Sequence, residues 1–226
     1  MTRTPVNRTA ARLAFALALA CSFPAIAEDD ISKVNGSIET SAGQRYGDLE
    51  TVNGAVRVAE NVQARDASTV NGSIHVESGA RVDSLETVNG AIRLARDVQV
   101  AGDIETVNGS VFVDSGGTVG GNIETVNGAI GLVRTQVAGN LETVNGNITV
   151  GIGSHVRGGI TVERPQSWFQ SAPKRRPRVV IGPDAEVSGP MEFRREVSLY
   201  VHRTARIGQV TGAEPVRFET ETAPQD

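Results

Sequence analysis

The sequence predicts an all-β fold, a single-stranded parallel β-helix or β-solenoid with about 18–19 residues per coil. Three observations predict it. First, seven Asn-Gly pairs recur, at Asn35, Asn53, Asn71, Asn89, Asn108, Asn127 and Asn145, with spacings of 18, 18, 18, 19, 19 and 18 residues. Second, each pair sits in a copied unit, Leu49-Glu50-Thr51-Val52-Asn53-Gly54-Ala55-Val56 in one copy and Ile104-Glu105-Thr106-Val107-Asn108-Gly109-Ser110-Val111 in another. Third, apolar triplets such as Ile92-Arg93-Leu94 and Val111-Phe112-Val113 alternate with period two and are broken by Asn-Gly or Gly-Gly turn signals, with no helical stripe. A repeat of this length is too short for a helix pair and fits three short strands with three turns.

Each position in the unit then has an expected place. The Asn-Gly pair is expected to form a corner through positive φ, which Asn tolerates and Gly prefers. Stacking puts successive Asn side chains about 4.8 Å apart, close enough for an amide ladder, and seven coils rise about 34 Å. Thr51, Thr69, Thr87, Thr106, Thr125 and Thr143 form a second column. Leu49, Leu85, Ile104, Ile123, Leu141 and Ile160 are expected inside, with Glu50, Glu86, Glu105, Glu124 and Glu142 outside. Strict alternation would place Thr and Asn inside and the Val column outside; a bulge would reverse the later part. An outward Val column would be a lateral contact surface. The first coil reads Ile31-Ser32-Lys33-Val34 and lacks the Glu-Thr, as a capping coil does.

The N-terminus reads as a signal peptide over 1–27. Arg3, Arg8 and Arg12 precede an apolar run at 13–20, and Ala25-Ile26-Ala27 offers a small-x-small cleavage site. The run is too short to span a bilayer, so no transmembrane segment is expected in the mature chain. The protein is therefore expected to be periplasmic or secreted. Cys21 offers an outer-membrane lipoprotein alternative, although Ala18 stands where a lipobox favours Leu. Cleavage would remove three of 22 basic side chains and none of 26 acids, leaving 19 against 26, a net charge of −7. That balance argues against nucleic-acid binding.

The repeats are expected over 28–162. Residues 163–178 hold three prolines, Trp168, Phe169 and a basic cluster of Lys174, Arg175, Arg176 and Arg178, and read as an insertion loop. A spacing of six at Ile181, Val187, Phe193, Leu199 and Ala205 predicts further coils over 179–212. A loose tail is expected over 213–226.

The V-N-G-S-I units, together with the stretch 179–208, resemble bacterial β-helical repeat proteins. The nearest groups are bactofilin-like, polymer-forming proteins and adhesin-like β-strand-repeat proteins. The resemblance implies a right-handed helix that polymerises end to end without a nucleotide. The export signal departs from the bactofilin-like group, which is usually cytoplasmic.

Little in the chain points to chemistry. His75, His155 and His202 have no second His or Cys at ligand spacing, so no metal site is expected. No nucleophile elbow or phosphate loop occurs, and the acids belong to the repeat rather than to one non-repeating place, so neither an enzyme nor a cofactor is expected. Glutamates about 4.8 Å apart repel by about 0.9 kcal/mol per pair in water. Such a row reads as a solvated face that blocks edge aggregation, or as a cation stripe. A Thr-x-Asn array suggests ice binding, but one Thr per coil is thin for it.

The candidate binding site is Trp168, Phe169, Lys174, Arg175, Arg176 and Arg178. Rings stack on sugars, and an arginine cluster suits phosphate or carboxylate, so envelope polysaccharide or lipid headgroups are the expected ligands. The plainer alternative is that the two rings cover a gap in the solenoid while the basic run is solvated. End coils offer self-association. The expected role is an exported, non-enzymatic structural, adhesive or self-assembling element of the cell envelope. A carbohydrate-binding or carbohydrate-cleaving β-helix is the alternative.

Overall fold

A computed structural model describes residues 29–165 and 176–224. These residues form a β-solenoid of short parallel strands, each paired with the strand one coil earlier and one coil later. One sheet has ten strands, one per coil, from Ile38–Glu39 through Val56–Val58 and Val111–Val113 to Pro215–Phe218. The repeat's Leu/Ile-Glu-Thr segments, such as Ile104–Thr106 and Ile123–Thr125, stack as a first face; the ten-stranded sheet is the second. Strands such as Gln99–Val100 and Thr118–Val119 stack as the third. In the early coils one long strand, Gln63–Asn71 or Arg81–Asn89, bends from the third face into the first, so these two faces share one 16-stranded sheet.

The pattern of small β-branched residues explains the thin core. Leu49, Ala67, Leu85, Ile104, Ile123, Leu141 and Ile160 are in register and buried, and so are Val56, Ile74, Ile92, Val111, Ile130 and Ile148 on the second face. Each adds a layer of apolar contact to the one beneath. Ile181, Val187, Phe193, Leu199 and Ala205 are buried too, so the spacing of six marks inward positions.

The parity within the repeat follows strict alternation as far as Val and then breaks. Thr51, Thr69, Thr87, Thr106, Thr125 and Thr143 are buried, and the Val that follows each is half-buried. Each Asn is exposed rather than inside, because the chain turns there. The Val column is thus only partly open to solvent; Val34 in the first coil is the exception, at 68% exposure.

The corner chemistry differs from the sequence expectation. None of the seven asparagines has positive φ, and of the glycines after them only Gly36 does. What the Asn-Gly corner requires is the absence of a Cβ. A Cβ on Gly90 would lie 1.8 Å from the Gly72 carbonyl oxygen of the coil below, and one on Gly109 would lie 1.7 Å from the Gly90 oxygen. The left-handed backbone occupies a different column, between the second and third faces: Gly43, Asn61, Gly79, Asp97, Gly116, Arg134, Gly153 and Asp184. Gly, Asn and Asp tolerate that conformation best, and Arg134 is the exception.

The 18-to-19 alternation also has a local cause. Val82 and Leu85 are separated by two residues at the corner from third to first face, whereas Val100 and Ile104 are separated by three. The added residue splits the long strand in two. A residue fewer between Leu132 and Val137 than between Val113 and Val119 restores the shorter period.

The insertion leaves the solenoid after strand Ile160–Val162, and strand Arg178–Ile181 resumes the second face in register with Ile148–Val150. Trp168, Phe169, Lys174 and Arg175 lie outside the described residues. Arg178 belongs to a strand rather than to the loop. The solenoid also runs past the expected boundary at 212, because Pro215–Phe218 pairs in parallel with residues 199–202 and buries Phe218.

Candidate functional site

The most regular side-chain constellation is the asparagine ladder. Each Asn Nδ2 donates to the Oδ1 of the Asn one coil earlier, from Asn53 onto Asn35 (3.1 Å) through Asn89 onto Asn71 (3.0 Å) to Asn145 onto Asn127 (2.9 Å). The ladder has a direction. Its last acceptor, Asn145 Oδ1, is met by the Arg195 guanidinium at 2.9 Å, and the same Nη1 donates to the Val144 carbonyl at 3.0 Å. A charged donor completes a chain of dipoles whose acceptor ends point its way.

The threonine column holds the inner side of the same corner. Thr51, Thr69, Thr87, Thr106 and Thr125 each donate Oγ1 to the corner-glycine carbonyl one coil earlier, at 2.9–3.2 Å. Thr143 instead accepts from the Gly146 N–H at 3.0 Å. These hydroxyls satisfy carbonyls that the turn leaves beside the core. In the first coil Lys33 holds the register position of Thr51, and its Nζ donates to the Ser37 carbonyl at 2.8 Å.

Glu86, Glu105, Glu124 and Glu142 stack in register as expected. Burial, and then the Asp66 carboxylate, hold the Glu86 carboxyl above the usual carboxylate range. The row meets Thr161 at its far end, and among the described residues no group of three or more His, Cys, Asp or Glu could hold a metal ion.

The three histidines stand apart. His202 is buried, with Nδ1 2.9 Å from Thr204 Oγ1 and its ring edge-on to Phe218 at 5.1 Å. His155 lies 3.9 Å from Glu186. Burial and the neighbouring Arg57 and Arg93 lower the His75 pKa below its ordinary value.

Two members of the expected basic site are described, and both are engaged within the protein. Arg176 pairs with Glu196 at 3.1 Å on the surface. Arg178 lies over the Tyr200 ring, 4.8 Å from its centroid, while its guanidinium donates to the Pro224 carbonyl and its N–H to Asn147 Oδ1. Trp168, Phe169, Lys174 and Arg175 are outside the described residues.

Three features escaped the sequence reading. Arg195 gave no local sign of reaching Asn145. The left-handed column could have been found from its Gly, Asn and Asp at a fixed offset after each Asn-Gly pair. A trough on the third face emerges only when coils stack.

No helix among the described residues is long and apolar enough to cross a membrane. No family model, no curated protein and no solved structure matches the chain, so the bactofilin-like and adhesin-like resemblance stays an expectation.

Proposed function

We propose that this protein is an exported, non-enzymatic rod of the bacterial cell envelope with a structural or adhesive role. The observation that carries this reading is where the repeat directs its polar side chains. Asn bonds to Asn, Thr to the glycine carbonyl of the previous coil, and Arg195 to the end of the ladder. The conserved-by-repetition chemistry of the chain is intramolecular fastening, which suits a rigid element better than a catalyst.

The edge strands among the described residues disfavour end-to-end pairing. The first strand, Asp29–Asn35, carries Lys33 in the register position that is threonine in the next coil. Among the described residues the final strand of the second face begins at Pro215, which has no N–H to donate. A charge on an edge strand and a proline at the other edge both discourage strand addition. The signal-peptide reading of 1–27 supports export.

Cell fractionation with mass measurement of the recovered protein tests the proposal. The expected product begins at Glu28, lies outside the inner membrane and sediments as an elongated monomer. Full-length protein in the cytoplasm would overturn the export reading, and filaments formed by the purified protein would overturn the reading of the edge strands.

A further inference from the structure

The third face carries a trough that none of the fastening above explains. It runs along the stack, across five coils, with a volume of about 390 Å³. Its floor is the exposed column Ala101, Gly120 and Ala138, which stays low because none has a side chain beyond Cβ. One wall is the row Gln99, Thr118 and Gln136, paired coil to coil through Gln99↔Thr118 and Thr118↔Gln136. Asp83 stands at one end and Arg157 at the other. Four interstrand steps separate them, roughly 19 Å.

The polar groups of the trough are open for a ligand. Gln99 Oε1 accepts from Arg81 Nε at 3.2 Å, which leaves the amide's Nε2 to donate. Among the described residues the Thr118 hydroxyl, the Gln136 amide and the Arg157 guanidinium have no side-chain hydrogen bond or ion pair. The backbone is committed, by contrast. The N–H groups of Ala101, Gly120, Ala138 and Arg157 donate to Val82, Val100, Val119 and Val137 of the preceding coils. An extended peptide would find these main-chain donors already taken. A polymer that bonds through its own hydroxyls would find partners, because amides and hydroxyls repeat along the wall and both donate and accept.

We propose that this trough binds a linear polysaccharide bearing carboxylate groups. Its hydroxyls bond to Gln99, Thr118 and Gln136, its sugar faces lie on the Ala-Gly-Ala floor, and a carboxylate meets Arg157 in a charge-assisted pair. Asp83 accepts from hydroxyls at the opposite end and sets the polarity of the chain in the trough. The assignment rests on the trough alone: protein recovered from the cytoplasm would sink the envelope reading and leave this site standing.

Calorimetric titration of the purified protein with a hexameric oligogalacturonate tests it, with cellohexaose and acetylated hexa-aspartate as comparison probes. Saturable binding of the oligogalacturonate is expected, with cellohexaose weaker by about tenfold for want of the charge-assisted contact. Arg157→Gln should narrow that gap, Arg81 remaining in the lining, and an unchanged gap overturns the Arg157 contact. Ala138→Trp, which fills the trough at an exposed position, should abolish binding while circular dichroism and the thermal midpoint stay as in the wild type. No binding of the oligogalacturonate, or binding that survives Ala138→Trp in a folded protein, overturns the site. Equal affinity of the wild type for cellohexaose overturns the carboxylate contact, and equal affinity for hexa-aspartate overturns the glycan.

Discussion

The Arg195 guanidinium donates to Asn145 Oδ1 at 2.9 Å across fifty residues of chain. The ladder stops at Asn145 because the next coil has Arg164-Pro165 where the repeat has Asn-Gly. Arg195, from the coil beyond, supplies the missing donor. The insertion is therefore accommodated without an open end in the amide chain.

Removing that cap has a defined cost. Arg195→Ala should lower stability by about 1.5–3 kcal/mol, the range for hydrogen bonds to a charged group. Arg203→Ala, an exposed arginine in a later coil, should change it by less than about 0.5 kcal/mol. Urea denaturation followed by circular dichroism measures both. Equal midpoints for the two variants would contradict the cap.

Position in the ladder should matter as well. Asn89 donates to Asn71 at 3.0 Å and accepts from Asn108 at 2.9 Å, whereas Asn35 only accepts, from Asn53. Asn89→Leu should therefore cost about 1–2 kcal/mol and Asn35→Leu about half of that, from hydrogen-bond loss at solvent-exposed sites. No φ strain enters, since neither asparagine has positive φ. Equal shifts in the urea midpoint would contradict a ladder in which each bond contributes to stability.

The two glycine columns should respond oppositely to a side chain. Gly90→Ala puts a Cβ 1.8 Å from the Gly72 carbonyl oxygen, a backbone atom with no room to yield. It should destabilise by more than about 4 kcal/mol or prevent folding. Gly43→Asn, at φ +70 with nothing within 4 Å of the added Cβ, should stay within about 1 kcal/mol of the wild type, because Asn61 already stands in that column. Thermal melts of the two proteins decide it, and a well-folded Gly90→Ala would refute the close approach.

Glu86 gives the pH prediction. Burial and Asp66 raise its folded pKa above the ordinary value of 4.5, so its protonated form is favoured in the folded state. Its contribution to stability is full below the unfolded value and is lost as pH rises through the folded one. Glu86→Gln mimics the protonated form. The variant should have a higher urea midpoint than the wild type at pH 7, and the two should converge as pH falls below 4.5. A gap that is the same at both pH values would place the effect outside ionisation.

The sequence by itself determined the coil length, the in-register Asn, Thr and Glu columns and the inward apolar positions. It could do so because in a solenoid each coil meets only its neighbours, so a period in the chain becomes a column in space. Tertiary structure decided the rest. Whether Asn faces in or out depends on where the chain turns, and the period is the same either way. Gly90 is required by the oxygen of Gly72 eighteen residues earlier in the chain, a close approach that no local φ preference encodes. Arg178 belonged by composition to the basic insertion, yet strand pairing puts it over Tyr200. Arg195 and the third-face trough share the same reason: both join groups from coils far apart in sequence, and only the rise of the stack sets which side chains come within a hydrogen bond of one another.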